Sequence, residues 1–195
     1  ELYLLADIKG ETEESAGLLA ELKVNMRRFA QNYLELAAGY LNDGFAAEAE
    51  KILMSYPDEN PMLSYYLGFL QYKKGNKKDA ETYFSKASSM TIDYVFPFRA
   101  EDEKILLKAV DYLQNNALPC YYLGNLLYDK QPQRAIQYWE KAVAIDPSLA
   151  IVWRNLGWGY NNFSGDIQKS IVAYEKAFNL KKDEPVYYAE LDLLY

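Results

Sequence analysis

The sequence predicts an all-α chain of stacked helix pairs, interrupted once by an irregular insertion. Three observations carry this. Apolar residues recur at i, i+3, i+4 and i+7 over most of the 195 residues, the spacing of one helix face. A Leu-small pair with a Tyr close behind it returns along the chain, followed 11 to 13 residues later by a small residue and then a large apolar one. Pro61, Pro147 and Pro185 punctuate three of these units.

Taken in order, the first unit carries Tyr33-x-x-Leu36-Ala37-x-x-Tyr40, then Ala49, Leu53 and Tyr56. Asn42-Asp43-Gly44 separates its two helices. The second carries Leu67-Gly68 and Tyr72, a break at Lys74-Gly75-Asn76, then Ala80, Phe84 and Ala87. After the insertion come Leu123-Gly124 and Tyr128, then Ala135, Trp139 and Ala142. The last complete unit carries Trp153-x-x-Leu156-Gly157-x-x-Tyr160, then Ser170, Tyr174 and Ala177. Asp166 is placed to cap the helix that begins near Ile167. Pro61, Pro132 and Pro185 fall where a first helical turn tolerates a missing N–H. Gly68, Gly124 and Gly157 sit inside helices, where Gly costs about 1 kcal/mol against Ala. Close contact between paired helices is the expected reason for them.

The period breaks once. Gly68 and Gly124 are 56 residues apart, well beyond one repeat. The surplus opens with Thr91-Ile92-Asp93-Tyr94-Val95-Phe96-Pro97-Phe98-Arg99, where Pro97 and the β-branched residues oppose helix. Glu101-Asp102-Glu103 then starts a helix, three acids at its positive end. Its apolar face is Ile105, Leu106, Ala109, Val110 and Leu113. The expectation is one or two extra turns of helix, with Phe96 and Phe98 plugging the gap they leave.

These motifs resemble the tetratricopeptide repeat (TPR), W-x2-L-G-x2-Y…A-x3-F…P over roughly 34 residues. The Trp153 unit matches closely. The others lack the Trp, and Ala37 to Gly68 spans 31 residues. The resemblance covers about 29–182, and a further unit opens at Tyr188, Leu191 and Tyr195. It implies a right-handed α-α superhelix over 1–195, a TPR-like solenoid. Atypical helices would fill 1–28, with units at 29–60 and 61–90, the insertion at 91–116, and units at 117–147, 148–184 and, in part, 185–195. Three segments are also similar to the repeat region of large bacterial proteins that carry a mutarotase-like β-sandwich of undefined function. They are Tyr94–Arg99, Arg154–Tyr160 and Glu190–Tyr195. That β-sandwich is not in this sequence, so the resemblance brings no sugar chemistry onto these residues.

Composition narrows the chemistry. The net charge is −7 and there is no His, which removes the commonest general base and metal ligand. An acidic chain has no general electrostatic attraction for nucleic acid or an anionic membrane. The apolar runs fall short of the ~20 residues that span a bilayer. A single Cys, Cys120, forms no internal disulfide and has no His to activate it, so a packed thiol is expected. A lone Cys suits a reducing cytoplasm. No basic stretch followed by an apolar run opens the chain, so no signal peptide is expected. The apolar Leu191, Leu193, Leu194 and Tyr195 suggest a piece of a longer protein. Carboxylates abound, but nothing sets two across a scissile bond. No phosphate loop is present, and Gly157-x-Gly159 falls on a helix rather than after a strand. Neither catalysis, a cofactor nor a metal is expected.

The resemblance implies that the first helix of each unit lines a concave binding face. Helical steps from the motifs then nominate Gln31, Leu34, Ala38 and Leu41, followed by Met62, Tyr65, Phe69 and Tyr72. Leu118, Tyr121, Asn125 and Tyr128 come next, and finally Ile151, Arg154, Trp158 and Asn161. Arg154 is the one charge among these sixteen, too thin for the carboxylate grip found in some of the family. The binding candidates are Tyr65, Phe69, Tyr72, Tyr121, Asn125, Tyr128, Arg154, Trp158 and Asn161. The expected partner is a protein or peptide, or an adjacent domain of the same polypeptide. The same aromatics at helical spacing could equally be core. Alternatives are an accessory domain of a carbohydrate-active enzyme, or a self-association module that stacks copies end to end.

Overall fold

The computed structural model describes residues 1–194; Tyr195, the last residue of the predicted partial unit, lies outside them. Helix accounts for 74% of the structure, as twelve α-helices and one π-helical turn, and no strand occurs among the described residues. The chain forms two compact units, one of Glu1–Ile92 and one that begins at Asp93. The division falls at the inserted segment, where the sequence period is lost.

In the first unit α1 (Leu2–Lys9) and α2 (Thr12–Met26) form a hairpin, turned at Gly10 in the left-handed region. α3 (Ala30–Asn42) pairs with α4 (Ala46–Met54), and α5 (Pro61–Lys73) with α6 (Lys77–Ala87). α5 also packs on α3 and α4, so each pair covers the apolar side its predecessor leaves open. The breaks have local causes. Gly44 and Gly75 take φ of 87° and 83°, accessible to Gly without steric cost. Asn60 caps α5: its side-chain oxygen accepts from the N–H of Met62 and Leu63, and Pro61 occupies the first turn. Tyr33, Ile52, Met62, Tyr66 and Phe84 are fully buried at the centre.

In the second unit α7 (Ala100–Tyr112) packs on α8 (Leu118–Leu127), which pairs with α9 (Pro132–Ile145). α10 (Ala150–Gly159) runs into the π-helical turn Tyr160–Ser164 and pairs with α11 (Ile167–Leu180). α12 (Pro185–Asp192) packs on α11. Asp166 caps α11, accepting from the Lys169 N–H at 3.0 Å.

The insertion departs from expectation twice. Its helix is thirteen residues long, not one or two turns. The extended segment before it alternates, Val95, Pro97 and Arg99 turning inward and Tyr94, Phe96 and Phe98 outward. The aromatics therefore do not plug a gap: Phe96 and Phe98 are 64% and 61% exposed, and Val95 fills the interior at 6%. Period-two geometry allows one set inside, and the small β-branched residue took it. Asp102 holds this turn. It is fully buried, and its carboxylate accepts from the backbone N–H of both Phe98 and Arg99 at 3.0 Å.

Candidate functional site: an aromatic cleft in the second unit

The three mid-helix glycines place the site. A Cβ added at Gly124 would lie 2.2 Å from the Trp139 indole; at Gly157, 2.6 Å from the Tyr174 ring; at Gly68, 2.6 Å from Phe84. Each large side chain lies across its partner helix where a side chain is missing. In the second unit this sets α8 and α10 side by side, with the Trp139 indole reaching between them from α9.

These helices and the extended segment enclose a cleft of about 710 Å³. Phe96, Pro97 and Phe98 form one wall. α8 and the turn after it supply Tyr121, Asn125, Leu126, Tyr128, Asp129 and Lys130; α10 supplies Ile151, Arg154, Asn155 and Trp158. The rings support one another. Tyr128 stacks on Trp139 with centroids 6.5 Å apart and meets Trp158 edge-on at 5.8 Å, and Phe163 of the π-helical turn braces Trp158 at 5.0 Å.

The polar groups are organised around two residues. The Asn125 side-chain oxygen accepts from Trp139 Nε1 at 3.1 Å and from Asn155 Nδ2 at 3.0 Å, tying α8, α9 and α10 together. Arg154 donates through Nε to both oxygens of Glu190, at 3.0 and 2.8 Å, and through Nη2 to Glu190 Oε1. That pairing raises the Arg154 pKa further, against the opposing effect of burial. Burial raises the Tyr121 hydroxyl; a hydrogen bond with Asn125 lowers it and the charge of Asp93 raises it. Tyr174, behind the pair, is pushed up to about 12 by burial and by Glu190. Cys120 is buried and its thiol raised by burial, as a packed thiol should be.

Of the nine nominated residues, Tyr121, Asn125, Tyr128, Arg154 and Trp158 line this cleft. Tyr121 is 6% exposed and contributes part of the floor. Asn161 falls in the π-helical turn, whose wider winding displaces it from the helical step that nominated it, and it does not line the cleft. Phe69 and Tyr72 belong to the first unit, where they lie ring against ring at 6.1 Å. Tyr65 is a correction: it is fully buried, packed on Phe84, with its hydroxyl 2.8 Å from that of Ser88. An aromatic at helical spacing is inward or outward according to the helix it meets, and α6 covers this one.

Four contributors escape the sequence pattern. Phe96 and Phe98 read as inward plugs, and Trp139 reads only as a packing residue. Glu190 carries no motif of its own, although it lies 36 residues after Arg154, close to one repeat period.

The helix pairs with their Gly-to-aromatic contacts define an all-α, TPR-like repeat fold. No family model matches the sequence, and no curated protein matches it. Several solved structures are similar. MamA residues 41 to the end from Desulfovibrio magneticus RS-1 is 22% identical, covering 85% of this chain and 82% of that one, with a TM-score of 0.46. YrrB, a TPR protein with an unusual peptide-binding site, is 18% identical over 96% of this chain and 87% of its own, with a TM-score of 0.44. PilF of Pseudomonas aeruginosa is 19% identical over 85% and 67%, with a TM-score of 0.44. No helix among the described residues is long and apolar enough to cross a membrane.

Proposed function

We propose that the protein is a non-catalytic interaction module whose second unit binds a peptide, or a segment of a neighbouring domain, in the aromatic cleft. The observation that carries this is the cleft itself: about 710 Å³, walled by Phe96, Phe98, Tyr128 and Trp158 and punctuated by Asn125, Asn155 and Arg154. Aromatic rings offer large contact area at low conformational cost, and amide groups can meet a peptide backbone. Exposed rings on an extended wall opposite a helical one suit a chain laid between them.

The test is selection from a random peptide display library. The wild type should enrich peptides that share apolar side chains. The double variant Tyr128→Ala with Trp158→Ala, checked for helicity by circular dichroism, should lose them. Enrichment of the same peptides by the folded variant would place binding elsewhere. No enrichment by the wild type would defeat the peptide-binding reading.

A further inference from the structure

We propose that Glu190 sets the charge preference of the cleft by occupying Arg154, so that the site takes an uncharged, apolar peptide. This rests on the cleft being a peptide site, as proposed above.

A guanidinium exposed in an aromatic cleft would select carboxylates, because its two parallel N–H groups match a carboxylate's two oxygens. Here that edge is already taken. Glu190 accepts from both Nε and Nη2 of Arg154, so the fork faces the protein's own carboxylate. The side chains of Arg154 and Glu190 are 31% and 20% exposed, so the pair is half-sheltered and weakly screened. A ligand carboxylate would have to displace Glu190 and leave that acid unpaired near the floor, which costs more than the exchange returns. The other charges beside the cleft are balanced too. Lys130 is paired with Asp129 at 3.0 Å. Arg99 is buried, stacked on the Phe98 ring at 4.3 Å. Electrostatic complementarity therefore points to a neutral occupant, with affinity from Phe96, Phe98, Tyr128 and Trp158.

The arrangement makes Glu190 a specificity-determining residue rather than a ligand contact. Its removal should convert the cleft from neutral-selecting to acid-selecting without changing the walls.

The experiment compares display selections by the wild type, Glu190→Gln, and the pair Arg154→Gln with Glu190→Gln. The wild type should enrich neutral apolar peptides. Glu190→Gln should enrich Asp- or Glu-bearing peptides about tenfold or more, the size of a charge-assisted hydrogen bond. The double variant should return to neutral ones. A second measurement uses the wild type alone: Glu is placed at each position of a selected peptide in turn, and no position should bind more tightly. Four results would overturn the proposal: acidic peptides enriched by the wild type, an unchanged selection by folded Glu190→Gln, acid preference persisting in the double variant, or a Glu scan that finds a tighter position. All four leave the cleft standing as a peptide site. A wild type that enriches no peptide defeats that reading, and this proposal with it.

Discussion

Gly124 lies flat against the indole of Trp139: a Cβ at position 124 would stand 2.2 Å from Cδ1 and Nε1. The same relationship links Gly68 to Phe84 and Gly157 to Tyr174. The spacing of 11 to 13 residues between the two motifs is thus a distance between two surfaces, one hollow and one full. In the last unit the hydroxyl of Ser170 adds a buried hydrogen bond to the Gly157 carbonyl at 2.7 Å, where other units carry Ala.

Filling that hollow should be costly. Gly124→Leu is expected to lower stability by about 1–3 kcal/mol or more, because the indole must move and its bond to Asn125 with it. Gly39→Ala is the control. Gly39 is interior to α3, and a Cβ added there would meet nothing within 4 Å, so Ala should raise stability by about 0.5–1 kcal/mol. Urea midpoints measure both, and opposite signs are the expected outcome.

Asp102 should prove the anchor of the inserted wall. Asp102→Ala leaves two N–H groups without their acceptor and is expected to cost about 1–3 kcal/mol. Asp102→Asn, which keeps a side-chain oxygen, should cost less. Limited proteolysis should cut Asp102→Ala first between residues 91 and 99.

Alkali should unfold the protein partly through Tyr174. Its ordinary pKa of 10.0 is pushed up to about 12 in the folded chain, first by burial and then by Glu190. The unfolded chain therefore loses this proton at lower pH than the folded one. The associated stability is complete below pH 10 and declines as pH rises through about 12, by at most about 1.4 kcal/mol per pH unit. Tyr174→Phe should flatten the melting temperature between those limits relative to the wild type.

Peptide binding should respond weakly to salt. The cleft's charges are met within the protein, so long-range attraction is small; affinity should change by no more than about threefold up to about 0.5 M salt. Glu190→Gln should make binding of an acidic peptide clearly salt-sensitive. Titration calorimetry with selected peptides measures both.

The helices and their pairing were legible in the sequence because each rests on local chemistry. Pro61, Pro132 and Pro185 start helices, Gly44 and Gly75 end turns with positive φ, and Asp166 caps α11. The insertion was visible as a lost period and Pro97, yet its inner and outer faces were not. Alternation gives two equivalent choices, and only packing decides that Val95 is inside and Phe96 and Phe98 outside.

The candidate site divides the same way. The sequence determined that aromatic residues with Asn125 and Arg154 would recur on the first helices of the units, since helical periodicity fixes which residues share a face. Tertiary structure decided which of them a ligand could reach. Tyr65 and Tyr121 are both aromatic at such positions, and both were closed over by neighbouring helices, while Tyr128 and Trp158 were left on the cleft wall. It also decided that Arg154 is engaged by Glu190, because an ion pair depends on where two helices come to lie, and a one-dimensional pattern gives only their period.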